Sequence, residues 1–300
     1  MSPATRKATF FAIFLLACVA AGWSSVRALV QLALSEDTYS HILLVPFITV
    51  TLLWMNRGDK KLWNGSNPGA AMPLFLVGVA LLLFGARLGA MVPGDDPLGL
   101  AILGLVLLIW AGVLFFFGTG AFRAYLFPFL FLLLLVPVPK VMIDGLVEWL
   151  RQGSALATEV FFRVTRTPVL REGFVFTVPG AAIDIAPECS GIRSALAMLI
   201  TCLLAGYLFL RTAWARLILL VATVPMLVIK NGIRIVTLTL LATHVDQSFL
   251  TGDLHRKGGF VFFLIGLLIL WPVLLWLQSA EKKMAARDGV PARPVSASPA

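Results

Sequence analysis

Charge is what this sequence has least of. Lys, Arg, Asp and Glu make up 13% of its 300 residues, about half the roughly 25% usual in soluble domains. A soluble globule of this size has too much surface for so few charges. The scarcity excludes a soluble enzyme, a disordered chain and a nucleic-acid-binding module, whatever the net charge of +9 suggests. Cysteine is scarce too. Cys18, Cys189 and Cys202 give no disulfide framework. Cys18 and Cys202 fall inside long apolar runs, as small buried side chains do. No Cys/His cluster has metal-ligand spacing and no glycine-rich phosphate loop follows a strand, so neither a metal nor a cofactor is expected. No cleavable signal peptide is evident. The apolar run from Phe10 follows Arg6 and Lys7, but it is too long for a signal core and lacks a small-residue cleavage site.

What is present is apolar. Hydrophobic residues reach 59% and the mean hydropathy is +0.94. Runs of spanning length occur at about 9–34, 39–56, 70–92, 98–117, 121–138, 190–210, 213–243 and 258–278; a span needs about 20 residues. The sequence therefore predicts an all-α polytopic membrane protein with about eight transmembrane helices. A single integral-membrane domain would cover 1–283, followed by a disordered cytoplasmic tail over 284–300, rich in Ala, Pro and Ser. Residues 141–166 also read as helix, but carry Asp144, Glu148, Arg151, Glu159, Arg163 and Arg166. So many charges are too costly in lipid, and an exterior amphipathic helix is expected instead.

The loop charges set an orientation. With eight spans and an inside N-terminus, the inside segments hold Arg6, Lys7, Arg57, Lys60, Lys61, Arg123, Arg211, Arg216, Lys282, Lys283, Arg287 and Arg293. Those twelve cations face only three acids, Asp59, Glu281 and Asp288. The outside segments hold seven cations and twelve acids, and loops 35–38 and 94–97 contain no Lys or Arg. This is the positive-inside pattern, with both termini cytoplasmic. Residues 168–187 then change period. Alternation around Pro179-Gly180 predicts a short β-hairpin on the outer face, before the sixth span.

Polar groups at membrane depth are the candidates for chemistry. Cys189 stands where the sixth span begins. A helix N-terminus lowers a thiol's pKa and offers free N–H groups, and Ser190, Gly191 and Ile192 can aim backbone N–H groups at an oxyanion. Taken alone, the same residues also fit a capping turn with an idle cysteine. Lys230 and Arg234 lie in the seventh span. Snorkelling is one account of them, and Asn231 shares a helix face with Arg234. His255 lies at the outer mouth of the eighth span, His41 at the outer start of the second, and His244 closes the seventh. Charge counting places Cys189, Arg234 and His255 on one side of the membrane. Thiol, guanidinium and imidazole are the three roles that cysteine nucleophilic catalysis needs.

Glu188-Cys189-Ser190-Gly191-Ile192-Arg193-Ser194, Asn231-Gly232-Ile233-Arg234-Ile235 and His255 before Gly258-Gly259 together resemble the exosortase/archaeosortase family of membrane transpeptidases. Ser40-His41 with Pro46, and Val136-Pro137-Val138-Pro139, are weaker points of likeness. The resemblance covers about 38–275. It implies catalysis by Cys189, Arg234 and His255, with Glu188, Ser190, Gly191, Arg193, Asn231 and His41 supporting or positioning substrate. His244 competes mildly with His255. The implied partners are exported proteins with a C-terminal sorting signal: a short motif, often Pro-Glu-Pro, then a transmembrane helix and a basic tail. Membrane lipid and an acceptor nucleophile are the other partners, and nucleic acid is not one. The implied place is the cytoplasmic (inner) membrane, with the site facing the exterior and a link to exopolysaccharide export. Two other readings stay open on the residues alone. One is a transporter with an anion site at Lys230 and Arg234; the other is a thiol-dependent envelope acyltransferase.

Overall fold

The structure is a computed structural model that describes residues 3–55, 65–92, 95–251 and 259–287. It is an all-α polytopic membrane protein with one small sheet. Six helical stretches are long and apolar enough to cross a bilayer: Asp37–Met55, Pro68–Met91, Asp95–Ala124, Ile192–Phe209, Ala213–His244 and Gly259–Arg287. They correspond to the second, third, fourth, sixth, seventh and eighth apolar runs. Two further helix pairs pass the same test only if each is taken as one broken span, which would bring the number to eight.

The chain forms two compact units, dividing after Met142. In the first, α1 (Pro3–Ala21) and α2 (Trp23–Ser35) meet at a 74° bend. The single span expected over 9–34 is therefore broken. The break falls at Gly22, whose φ of −96° and ψ of 16° leave the helix. A Cβ there would lie 2.9 Å from a Leu105 methyl, so the site accepts only glycine without rearrangement. A 3₁₀ turn, Asp37–Leu43, leads into α3 (Val45–Met55).

The antiparallel pair α4 (Pro68–Met91) and α5 (Asp95–Ala124) packs small residue on backbone. A Cβ on Gly85 would lie 2.5 Å from the Ala101 nitrogen, and one on Gly104 2.6 Å from the Leu82 nitrogen. In lipid, where apolar burial drives little association, such close backbone approach supplies the packing. The fifth expected span, 121–138, is also broken. Gly118 (φ 80°, ψ 176°) interrupts α5, α6 (Leu126–Phe131) is one short helix, and a 3₁₀ turn over Leu132–Leu135 ends before Pro137 and Pro139. Proline blocks continuation of the helix there.

The second unit holds Cys189, Asn231 and Arg234. Its first helix, α7 (Lys140–Val164), buries Leu150, Ser154, Ala155, Thr158 and Phe162, which recur at helical spacing along one stripe. The opposite face exposes Trp149, Leu156, Val160 and Val164. The helix expected over 141–166 is present, and with Leu126–Leu135 it makes one of the two bent pairs, at 93°. At its far end Glu159 pairs with Arg171 at 2.8 Å and with Arg163. The Arg171 hydrogen bond, with Arg163 nearby, holds the Glu159 carboxyl below its ordinary range.

Three short strands follow in antiparallel order: β1 (Leu170–Glu172), β2 (Val175–Val178) and β3 (Ala181–Asp184). The hairpin expected around Pro179-Gly180 is β2–β3, with Val178 opposite Ala181. The structure adds β1, which pairs back on β2 through Gly173 (φ 63°). Glycine takes positive φ without steric cost. Phe176 and Val178 point inward against Phe162, Ile235 and Val236.

The remaining helices are α8 (Ile192–Phe209), α9 (Ala213–His244), the short α10 (Ser248–Thr251) and α11 (Gly259–Arg287). Leu150, Ala195, Met198, Leu219, Met226, Leu270 and Leu277 form the core of this unit. The α8–α9 loop is clasped by Glu281 of α11. Its carboxylate accepts from the Arg211 nitrogen at 3.0 and 3.1 Å, from the Thr212 nitrogen at 2.7 Å, and from the Thr212 hydroxyl. Arg216 donates twice to the Leu210 carbonyl, at 3.1 and 2.9 Å. The clasp puts the α8–α9 loop and the C-terminal end of α11 at the same end of the unit.

Candidate active site

Pro187–Ser190 forms one 3₁₀ turn between β3 and α8. Proline at its first position suits a chain entering a helical turn. The turn carries Glu188, Cys189 and Ser190. Gly191 then caps α8 in the left-handed region, at φ 76° and ψ 20°. A Cβ on Gly191 would lie 2.8 Å from the Asn231 side-chain oxygen. Left-handed backbone and lack of room both require glycine at this position.

Asn231 of α9 holds the turn from below. Its Nδ2 donates to the carbonyls of Cys189 (3.0 Å) and Ser190 (3.2 Å), and to the Ser154 hydroxyl of α7 (2.9 Å). Asn231 and Ser190 are each 1% exposed and Ser154 is fully buried. Buried carbonyls need donors, and one amide supplies two successive ones. The approach of α7 to α9 depends on small residues. A Cβ on Gly232 would lie 2.7 Å from the Ala157 Cβ, and one on Gly153 2.8 Å from a Val228 methyl.

The strand side of the turn is fixed by Arg151 of α7. Its Nε donates to the Ile185 carbonyl, Nη2 lies 3.6 Å from Asp184, and the guanidinium sits 3.8 Å from the centroid of the Phe174 ring. Thus α7, the sheet, α8 and α9 all converge on the Cys189 turn.

Cys189 and Arg234 line one small cavity, of about 30 Å³, together with Ile183, Asp184, Ile185, Ile235, Leu238 and Thr239. That is room for about one water-sized group. The thiol stands at the N-terminus of an 18-residue helix, where backbone N–H groups and the helix dipole favour an anion. Thiolate is the reactive form of cysteine. Arg234, which lines the same mostly apolar cavity, carries a planar set of donors. Chemically, the arrangement can hold a thiolate beside a group that stabilises a second developing anion.

Other residues singled out in the sequence take different places. Arg193 is in the first turn of α8 and exposed. Lys230 is buried, with its ammonium donating to Ser194. His244 hydrogen-bonds through Nδ1 to the Leu240 carbonyl at 3.0 Å and lines a separate open groove with Thr165, Thr167 and Thr237. His41 belongs to the first unit, where its Nδ1 meets the Thr38 carbonyl at 3.1 Å. His255 lies outside the described residues. Ser154, Arg151 and the pairing of Lys230 with Ser194 were not foreseen. Only the small run Gly153-Ser154-Ala155 inside a charged helix hinted at a close helix contact.

The sequence model of one family, described as transmembrane exosortase, matches residues 23–272. The chain belongs to the transmembrane exosortase family. Among curated proteins and solved structures, no match was found. Exosortases are membrane transpeptidases of protein sorting, and they act on exported proteins with sorting signals. The matched stretch takes in the Cys189 turn, Asn231 and Arg234.

Proposed function

We propose that this exosortase cuts the C-terminal sorting signal of exported proteins at the outer face of the cytoplasmic membrane, through a thioester on Cys189. The observation that carries this reading is the shared cavity, which Cys189, just before the N-terminus of α8, and Arg234 line together. The substrate's own helix lies in the bilayer and brings its motif to the mouth of the cavity. The Cys189 thiolate attacks the scissile carbonyl, and the C–S bond forms as the oxygen takes up negative charge. Arg234 stabilises that oxyanion or orients the motif carbonyl. The tetrahedral intermediate collapses, the C–N bond breaks, and the leaving amine takes a proton from His255. The cut helix stays in the membrane. His255 then takes a proton from the acceptor nucleophile, or from water, as it attacks the thioester; the C–S bond breaks and the Cys189 thiolate is restored beside protonated His255.

Glu188, Ser190, Gly191, Arg193 and Asn231 support the turn or position substrate, and the family likeness makes His41 a further candidate for substrate positioning. The test is substrate maturation in a Cys189→Ala strain with matched enzyme levels. The change removes only a small polar atom, so the protein remains in the membrane while cutting is abolished. Normal maturation in that strain would sink the reading and favour an anion site at Lys230 and Arg234.

A further inference from the structure

Lys230 is 2% exposed. Its stem runs beside Gly266 of α11, where a Cβ would lie 3.5 Å from the lysine Cδ. The ammonium is buried and donates to the Ser194 hydroxyl in the first turn of α8. The antiparallel α8–α9 pairing explains the meeting. Ser194 lies 15 residues before Phe209, the end of α8, and Lys230 17 residues after Ala213, the start of α9. Among the described residues no carboxylate forms a salt bridge with Lys230. A buried ammonium costs several kcal/mol unless its surroundings compensate, and the positive end of a helix dipole is a poor place for one. A cation kept there has a local task.

Ser194 shows what that task is. While its oxygen accepts from Lys230, its hydroxyl donates to the Gly191 carbonyl at 3.0 Å. The same carbonyl accepts the Ala195 N–H at 2.9 Å. Ammonium, hydroxyl and carbonyl form a chain in which each bond strengthens the next. A trans peptide is planar, so its N–H points opposite to its carbonyl. Fixing the Gly191 carbonyl therefore fixes the direction of the Ile192 N–H. That amide belongs to the first turn of α8, whose donors no helix carbonyl uses.

We propose that Lys230 is a positioning residue for acyl transfer at Cys189: through Ser194 it locks the Gly191–Ile192 peptide plane so that the Ile192 N–H is held ready for the oxyanion. The inference rests on the thiol chemistry proposed above, and it extends that chemistry to a residue that contacts no substrate. Asn231 fixes the two preceding carbonyls in the same way, so the whole turn is anchored from α9.

Two probes of the purified full chain test the lock. p-Nitrophenyl acetate acylates a thiolate through a tetrahedral oxyanion: the C–S bond forms and p-nitrophenolate leaves. Iodoacetamide alkylates the same thiolate by displacing iodide, with no oxyanion. The rates are read at Cys189 by peptide mass, so Cys18 and Cys202 do not interfere. Lys230→Met and Ser194→Ala should each lower the ratio of acylation to alkylation about tenfold, less than the loss of a whole oxyanion donor. The double variant should fall no further, because both changes break one chain. A role in folding or access alone would slow both reagents equally and leave the ratio unchanged. An unchanged ratio, or a double variant whose losses multiply, overturns the proposal. Should Lys230→Met fail to fold, Ser194→Ala decides alone. Neither probe needs a sorting signal, so the cutting of sorting signals stands or falls separately, on the Cys189→Ala strain.

Discussion

Gly191 and Asn231 illustrate how tightly single residues are specified around the thiol. The glycine is held by its positive φ and by the Asn231 oxygen packed against it. The asparagine is held by three acceptors that one amide nitrogen must serve. Arg234 is the residue whose proposed role a conservative change tests best. Lysine keeps the charge, but replaces a planar fork of donors with one mobile ammonium. Arg234→Lys should therefore lower the ratio of cut to uncut substrate about 10²–10³-fold, the usual cost of one oxyanion donor. Wild-type cutting in that variant would assign Arg234 a purely electrostatic role. The sequence alone already marked Cys189, Gly191, Asn231 and Arg234, because polar groups are conspicuous in apolar surroundings. It did not mark Ser154 or the task of Lys230. A serine inside an amphipathic helix carries no sign of the partner that meets it from 77 residues away.

At the scale of elements, apolar length located six spans correctly but could not reveal breaks inside a run. Gly22, close against a Leu105 methyl, divides the first run, and hydropathy carries no record of a backbone break. The fifth run is broken at Tyr125, where φ −111° and ψ 28° leave the helix, and is ended by Pro137 and Pro139, of which only the prolines were legible. Alternation found the β2–β3 hairpin, while β1, three residues long, was too short for a period to show. The Glu281 clasp gives the orientation a geometric check. It ties the α8–α9 loop to the C-terminal end of α11, so Arg211, Arg216, Lys282 and Lys283 must share a side. The positive-inside pattern predicts that this side is the cytoplasm. Reporters active only in the periplasm, inserted at 211 or fused after 283, should both be inactive. Activity of both would invert the orientation, and activity of one alone would break the clasp.

For the whole molecule, Arg151, Ser154, Cys189, Lys230, Asn231 and Arg234 all lie in the unit that begins at Ile143. An amphipathic helix, a small sheet and two membrane helices meet at one turn, and the family match spans both units. The central claim is a thioester on Cys189. The most direct measurement is peptide mass at Cys189 after acid quenching of the enzyme with a co-expressed exported protein that carries a C-terminal sorting signal. The account predicts an adduct with the mass of the substrate's upstream portion, released by hydroxylamine and absent from Cys189→Ala. Cut substrate accumulating in Cys189→Ala, or the acyl group recovered on a different residue, would contradict it.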